Sequence, residues 1–168
     1  STLPSVFAST HGDLSITDYM CTTLAHDPRA ISPTRFHNSV HNAAAGYWTI
    51  GAHAMAPATA ISALDHSFGQ GLLEALVQLA TGTDAVLLVA YDSAATGPIA
   101  QISRSEGLLG GALVLVREVL PGQPRLQASL RDAAAGESEA PDRLAGLVGA
   151  NAMLPMLPLL EALARRQA

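Results

Sequence analysis

The sequence predicts an α/β fold, a sheet packed against helices, and three segments predict it. Residues 58–64 alternate small and branched side chains as a strand does, and residues 67–80 repeat apolar side chains at helical spacing. Residues 85–91 form a continuous apolar run, which is typical of a strand buried on both faces. Because 49% of the 168 residues are hydrophobic, the core of one domain, residues 1–168, can bury these segments.

The segments before residue 58 predict one strand and two helices. Residues 5–10 predict a short first strand that runs into a turn. Ser15 and Asp18, three residues apart, form a capping box for a helix that should run to about His26, before a proline. Small residues at 43–46 would let another helix pack very closely against its neighbours.

The segments after residue 64 predict a helix and a further strand. The helix over 67–80 should stop at Gly82. Residues 112–120 predict a second apolar strand, so we expect 85–91 and 112–120 to be central strands of one sheet. The helix should pack on this sheet through one apolar face, which consists of Phe68, Leu72, Leu76 and Leu79.

The last third of the sequence is less regular. Residues 126–130 alternate as a shorter edge strand does, and residues 133–141 are typical of a mobile surface loop. From residue 142 onward the sequence is helical in character, although Pro155 and Pro158 should interrupt it.

Composition argues against two classes of partner. The formal net charge is −5, with nine arginines and lysines against fourteen acidic residues, so a nucleic-acid partner is not expected. No stretch approaches the roughly 20 apolar residues that a membrane span needs. A mean hydropathy of +0.27 is nevertheless high, which favours apolar surface that meets a partner protein.

The start of the sequence and its cysteine content indicate the cellular compartment. A lone cysteine excludes an internal disulfide framework, and no signal peptide opens the sequence, so we expect a cytoplasmic protein. The sequence starts at Ser1 without an initiator methionine, and we expect it to be a fragment of a longer chain.

A sharp turn from strand to helix around Asp65 is the feature best able to carry chemistry. Such an elbow presents a side chain at a helix N-terminus, where unpaired backbone N–H groups stabilise an anion. Enzymes use this arrangement to lower the pKa of a cysteine or to hold an oxyanion. We expect Asp65 to be an N-cap that accepts a backbone N–H. His66 and Ser67 follow it, but without a G-x-S-x-G motif a hydrolase is disfavoured.

Three other side chains are candidates for chemistry. His37 and His41 would share one face of a helix and could chelate a metal. No glutamate follows His37 to make an H-E-x-x-H motif, so packing or hydrogen bonding is favoured, and we expect no metal and no cofactor. Cys21 lies in an apolar run without a basic neighbour, which predicts a buried, inert thiol.

Three stretches of the sequence carry a family resemblance: VFASTHGD at 6–13, SPTRFHNSVHNAAAGYWTI at 32–50, and residues 56–92, which open with APATAISALDHSF. They resemble the N-terminal half of β-ketoacyl synthases, and most of all the short ketosynthase-like proteins called chain length factors in aryl polyene gene clusters. The resemblance fades after residue 92, apart from GGALVLVRE at 110–118. It implies a thiolase-like half, a mixed sheet between helices, here expected to lack its first strand.

The resemblance also implies a missing nucleophile. In the register that matches the family's flanking dipeptides without a gap, Asp65 takes the position of the catalytic cysteine. A shift of one residue would offer Leu64 or His66, and neither is a thiol. Phe68 stands where the family often has glycine, and the decarboxylating histidines of ketosynthases belong to a C-terminal half that this sequence does not contain. We therefore expect no condensation chemistry from this chain alone.

The function implied is that of a non-catalytic, chain-length-factor-like subunit. It would pair with an active β-ketoacyl synthase and bound its acyl pocket, while an acyl carrier protein delivers the chain, in fatty acid or polyketide-like (aryl polyene) biosynthesis. Two alternatives stay open. One is a residual decarboxylase or acyltransferase acting on carrier-bound thioesters, and the other is a stand-alone homodimeric binding module.

The residues that the resemblance singles out fall into two groups. Those expected at the elbow or the acyl pocket are His66, Ser67, Phe68, His41 and Asn42. In ketosynthases the strand that leads into the elbow pairs with its counterpart across a two-fold axis. The partner interface implied here consists of Ala58, Ala60, Ile61 and Ala63.

Overall fold

The computed structural model describes residues 2–103, 105–118, 121–129 and 144–165. The strands are β1 (Ser5–Ala8), β2 (Ala58–Ile61), β3 (Ala85–Asp92) and β4 (Leu109–Val116). The helices are α1 (Leu14–His26), α2 (Pro33–Asn38), α3 (Ala43–Gly51), α4 (Ser67–Ala80) and α5 (Leu157–Ala164). Short 3₁₀ turns occupy Pro28–Ala30, Leu64–His66, Gly97–Gln101, Ala145–Leu147 and Leu154–Met156.

The four strands form one mixed sheet in the order β2-β1-β3-β4. β1 pairs in parallel with β2 and with β3, whereas β4 runs antiparallel to β3. The predicted α/β class with a mixed sheet is thus confirmed, and β3 is central as predicted. The expectation that β4 is also central is wrong for the described strands, because β4 lies at an edge. Its alternating pattern leaves Val114 59% and Val116 43% exposed, so only one of its faces is buried.

The core lies between one face of the sheet and α4. Alternate residues of β1 and β3 point to this face, as the two-residue period of a strand requires. The predicted apolar face of α4 meets them, together with residues of the C-terminal segment. The buried members of the cluster are Val6, Ala8, Phe68, Ala75, Leu79, Val86, Leu88, Ala90, Ala152, Met153, Met156 and Leu157.

The opposite face of the sheet is covered at β1. Phe7 and Leu87 point to that side and are buried, and α3 contacts both β1 and β2. The sheet therefore lies between helices at this point, as predicted. On the α4 side the approach is very close, because a Cβ added at Gly71 would lie 2.7 Å from the Cβ of Ala8. A larger side chain than glycine would push α4 away from β1.

The first helix is capped differently from the prediction. Asp13 is the N-cap, and its Oδ1 accepts hydrogen bonds from the backbone N–H (2.9 Å) and the hydroxyl (2.6 Å) of Ser15. The helix ends at His26 as predicted. The prediction of a buried Cys21 is wrong, since the thiol is exposed. α1 buries Leu14 and Met20, and one step of about 100° along a helix takes Cys21 to the solvent side.

The segment from 121 onward differs from the prediction in part. Residues 126–129 form no strand, and the predicted loop at 133–141 lies outside the described residues, as do the last residues of the predicted strand 112–120 and of 126–130. The helical character of the C-terminal segment is confirmed by α5 and the 3₁₀ turn before it. Pro155 and Pro158 lie in the first turns of these elements, where a missing N–H costs nothing.

None of the described helices is both long enough and apolar enough to cross a bilayer.

Candidate functional site

The connection between β2 and α4 is longer than the sequence predicted. β2 ends at Ile61 rather than at residue 64, and a 3₁₀ turn, Leu64–His66, follows before α4 begins at Ser67. Leu64 has a φ of +51°, which is a left-handed backbone conformation. A residue with a side chain as bulky as leucine rarely adopts it. The chain therefore changes direction through a strained backbone at Leu64.

Hydrogen bonds from two hydroxyl groups hold this turn. The Ser67 hydroxyl donates to the Leu64 carbonyl (2.7 Å) and accepts the backbone N–H of Ala63 (2.9 Å). The Thr10 hydroxyl makes a longer contact of 3.4 Å with the same Leu64 carbonyl. Ser62 donates to the backbone carbonyl of Thr10 (2.7 Å) and so ties the end of β2 to the end of β1.

Asp65 lies in the middle of the 3₁₀ turn and is exposed. The prediction that its carboxylate caps α4 is wrong, because neither the turn nor α4 has a side-chain cap, and the N-cap residue of α4 is His66. The intervening turn sets Asp65 two residues before the helix, and the Ser67 hydroxyl takes the nearby Ala63 N–H instead. An exposed carboxylate in this place is a weak nucleophile.

A buried polar network lies beneath the elbow, at the carboxyl ends of the parallel strands. Asp92, only 3% exposed, accepts hydrogen bonds at Oδ1 from the Ser9 hydroxyl (2.8 Å) and the Thr10 backbone N–H (2.9 Å). Ser9 in turn accepts the backbone N–H of Gly12 (2.9 Å). The Asp92 carboxylate thus fixes the end of β1, from which Thr10 reaches the elbow.

The same network reaches the C-terminal segment. The Ser105 hydroxyl lies 3.5 Å from the second carboxylate oxygen of Asp92 and accepts the backbone N–H of Ala152 at 3.3 Å. Sequence reasoning missed these residues. The signal available was a polar residue at the end of each apolar strand, Ser9 and Thr10 after β1 and Asp92 closing β3, because parallel strands gather their carboxyl ends at one edge.

Tyr91, beside this network, has a perturbed phenol. Burial raises the pKa of Tyr91 above 10.0, its ordinary value, and the nearby carboxylates of Asp92 and Asp13 raise it further. A hydrogen bond with Ser9 acts in the opposite direction on this pKa. The neutral phenol is therefore the form that the fold favours.

His41 packs against the start of this network, whereas His37 does not. The Nε2 of His41 lies 2.8 Å from the Ser9 carbonyl, which can only accept, so this nitrogen carries the proton. His37 packs edge-on against Tyr47 with ring centroids 6.3 Å apart. α2 ends at Asn38, so the two histidines do not share a helical face as the metal hypothesis required. Across the described residues, no three metal-binding side chains cluster.

The remaining elbow candidates have distinct places. Asn42 is the exposed N-cap residue of α3, without a side-chain cap, and His66 is exposed at the start of α4. Phe68 is buried and lines a cavity of only about 10 Å³ with residues of β3, β4 and the C-terminal segment. A larger groove of about 520 Å³ lies at the other end of α4, between Leu76, β4 and α5.

β2 is one of the two edge strands of the described sheet, and β4 is the other. β2 pairs with β1 on one side, and no described strand pairs with its other side. Ala58 is exposed, while Ala60, Ile61 and Ala63 are half-buried. The backbone groups along this edge are therefore available to a further strand.

Comparison with known proteins identifies the fold and its family. The family model described as "Beta-ketoacyl synthase, N-terminal domain" matches residues 1–167. Among solved structures, the chain is similar to one chain of "Ketosynthase (ApeO) in Complex with its Chain Length Factor (ApeC) from Xenorhabdus doucetiae", with 32% sequence identity and a TM-score of 0.63. The match covers 70% of this chain and 50% of that chain, so it spans about half of the relative's length. Curated protein sequences gave no match.

Proposed function

Because the chain belongs to the β-ketoacyl synthase N-terminal domain family, we propose that it is a non-catalytic, chain-length-factor-like subunit that pairs with an active β-ketoacyl synthase. The observation that carries the proposal is the elbow, which has a strained turn held by hydrogen bonds and presents Asp65 where the resemblance calls for a cysteine. The elbow thus has the strand-to-helix turn of a nucleophile site, but it lacks a cysteine thiol.

The chemistry of a carboxylate supports the absence of catalysis. Condensation by a ketosynthase requires a thiolate that stores the acyl chain as a thioester. Acyl transfer to Asp65 would give an anhydride, which water hydrolyses readily, and exposure of the residue leaves it open to water. The described chain has one thiol, Cys21, and it faces solvent on α1 rather than the elbow.

The number of exposed apolar side chains supports a partner. Of the large hydrophobic side chains that are exposed, many lie between residues 36 and 64 of the sequence; they are Phe36, Val40, Tyr47, Trp48, Ile50, Met55 and Leu64. Exposed apolar side chains in such number, in a chain whose described sheet also has an unpaired edge at β2, are typical of a protein that forms an interface. Their burial would stabilise a complex by about 25 cal/mol per Å² of apolar surface.

The acyl pocket is proposed to belong mainly to the partner. Phe68 fills the space beneath the elbow, and the cavity beside it, about 10 Å³, is too small for an acyl chain. In this proposal the subunit bounds the pocket from outside, an acyl carrier protein brings the substrate to the complex, and the pathway is fatty acid or polyketide-like (aryl polyene) biosynthesis.

An activity assay tests the proposal. The chain, an active β-ketoacyl synthase from the same organism, and both together are given malonyl and acyl groups on the acyl carrier protein. We expect ketoacyl product only when the ketosynthase is present, with a chain-length distribution that changes when this subunit is added. Acyl transfer or decarboxylation by the chain alone would instead favour a residual enzyme. Ketosynthase products that never respond to the subunit would contradict the proposal.

Substitutions in β2 test the proposed interface. Ala58→Lys places a charge on the β2 edge at an exposed residue, whereas Ile61→Lys, further along the strand, also replaces a half-buried side chain that packs against the core cluster. Both should weaken binding to the ketosynthase by at least about tenfold, since a lysine must be desolvated there. Leu147→Lys, at an exposed residue of another 3₁₀ turn, is the matched control and should leave binding unchanged. Equal affinities of all three variants would place the interface elsewhere.

A further inference from the structure

The segment at residues 151–157 lies in the core beside the elbow, although it comes much later in the sequence. Met153 and Met156 are 0% and 2% exposed, and both belong to the cluster that contains Phe68 of α4. Met156 and Phe68 line the same cavity of about 10 Å³. A Cβ added at Gly111 would lie 3.1 Å from the sulfur of Met156, so this side chain has little room on the side of β4. The segment therefore fills the space behind Phe68 closely.

Hydrogen bonds join the same segment to the polar network beneath the elbow. The Ser105 hydroxyl accepts the backbone N–H of Ala152 (3.3 Å) and lies 3.5 Å from one carboxylate oxygen of Asp92. The other oxygen of Asp92 accepts the Thr10 backbone N–H (2.9 Å). Asn151, which is 5% exposed, donates from its side-chain amide to the backbone carbonyl two residues after Ser105 (2.9 Å). The segment thus reaches the elbow by two routes, apolar packing and a chain of polar contacts.

The strained turn at Leu64 needs restraint from its surroundings. A non-glycine residue keeps a left-handed conformation only where the surrounding structure fixes it. The Leu64 carbonyl is held by the hydroxyls of Ser67 (2.7 Å) and Thr10 (3.4 Å). A third restraint is the burial of Phe68, just beyond the turn. Because the segment packs behind Phe68 and the polar chain holds Thr10, two of these three restraints depend on it.

We propose that residues 151–157 form a brace, a segment whose docking behind Phe68 and onto Ser105 keeps Leu64 in its left-handed conformation. When the brace is displaced, the turn relaxes, and the exposed residues that follow Leu64 change their orientation relative to β2. The surface of the elbow is thus set by a segment that is remote in the sequence. The brace acts within the chain, so it does not depend on pairing with a ketosynthase.

Hydrogen exchange of the backbone amides tests the brace. The turn protects the N–H groups of Ala63, bonded to the Ser67 hydroxyl (2.9 Å), and of His66, bonded to the Ala63 carbonyl (3.0 Å). The N–H of Leu87 in β3, which donates to the Pro4 carbonyl (2.9 Å), reports opening of the sheet instead. The exchange rate of the two turn amides is therefore divided by that of Leu87 in each variant. A rise in this ratio shows that the turn opens without the sheet.

Two pairs of variants separate the brace from the rest of the core. Met156→Ala, which empties the space behind Phe68, should raise the ratio by at least about tenfold. Met153→Ala is the matched control, because this methionine is as deeply buried but does not line the cavity beside Phe68, and it should leave the ratio unchanged. Ser105→Ala should raise the ratio by at least about threefold. Ser5→Ala, at a buried serine at the other end of β1 from the network, should not raise it.

The brace is overturned if the turn amides and Leu87 exchange faster by the same factor in Met156→Ala and Ser105→Ala, since the segment then stabilises only the fold as a whole. A ratio that rises as much in the two control variants also overturns it. If Met156→Ala does not fold, Ser105→Ala decides the test, because it removes one hydroxyl and leaves the apolar packing in place.

Discussion

The two sides of the elbow differ in what their residues contact, although they are adjacent in sequence. On the outer side Leu64, Asp65 and His66 are exposed, whereas on the inner side Ser67 and Phe68 are buried. The inner residues carry the hydrogen bonds and the packing that shape the turn. The comparison shows that the shape of this site and its chemistry depend on separate residues. Under the proposed function, the outer side lacks a nucleophile while the residues of the inner side still shape the elbow.

The largest effect is expected on the inner side, at Phe68. Phe68→Ala should lower the free energy of unfolding by about 3–5 kcal/mol, because it removes a ring from the core cluster between α4 and the sheet. Phe36→Ala, at a 62% exposed phenylalanine of α2, should change it by less than about 1 kcal/mol. Chemical denaturation of both variants measures the difference. Equal losses would show that Phe68 contributes no more to folding than an exposed phenylalanine does.

The buried network beneath the elbow should give the next largest effect. Asp92→Ala leaves the Ser9 hydroxyl and the Thr10 N–H without their acceptor, which should cost about 2–3 kcal/mol of unfolding free energy. The matched control is Asp84→Ala, which removes an exposed carboxylate paired with Arg117 and should cost about 0–1 kcal/mol. Hydrogen exchange at the elbow amides should also rise in Asp92→Ala, since Thr10 links the network to the Leu64 carbonyl.

A smaller effect is expected at high pH. The pKa of Tyr91 is raised above 10.0, mainly by burial, so the folded state holds the phenol proton more tightly than the unfolded state does. The associated stability is fully present below about pH 10 and is lost as the pH rises through the folded-state pKa. As the pH rises from below 10 to above the folded-state pKa of Tyr91, the free energy of unfolding should therefore fall less in Tyr91→Phe than in the wild type. Parallel curves for the two proteins would contradict the assignment.

The smallest effect is expected on the outer side, at Asp65. Asp65→Ala should change the unfolding free energy by no more than about 0.5 kcal/mol, because the carboxylate is exposed and does not cap α4. A loss of about 1 kcal/mol, the usual value of an N-cap, would show that the side chain caps a helix after all. Asp65→Cys should likewise fold normally, yet produce no ketoacyl product alone.

The sequence was most informative where one physical pattern dominated. The helical period of 67–80 predicted which residues of α4 meet the sheet, and the apolar run 85–91 predicted a strand with little exposed surface. The sequence was least informative where individual polar contacts determine how a helix or strand ends. The Asp13 cap and the 3₁₀ turn after Ile61 depend on individual hydrogen bonds that spacing does not determine.

The candidate site was predicted in position but not in detail. A strand-to-helix elbow was expected near Asp65, and the structure has one. The positive φ of Leu64 could not be predicted, because leucine gives no local signal for it. Asp92 was missed because its partners lie about 80 residues away in sequence, so only the pairing of β1 with β3 brings them together.

Sedimentation velocity tests the central claim, a non-catalytic subunit that pairs with a ketosynthase, most directly. The chain is sedimented alone, and then mixed with an active β-ketoacyl synthase from the same organism over a range of concentrations. We predict a new species with the mass of a one-to-one complex, which in Ala58→Lys forms only at concentrations at least about tenfold higher and in Leu147→Lys forms as in the wild type. A chain that sediments as a monomer at every concentration and leaves the ketosynthase boundary unchanged would contradict the account.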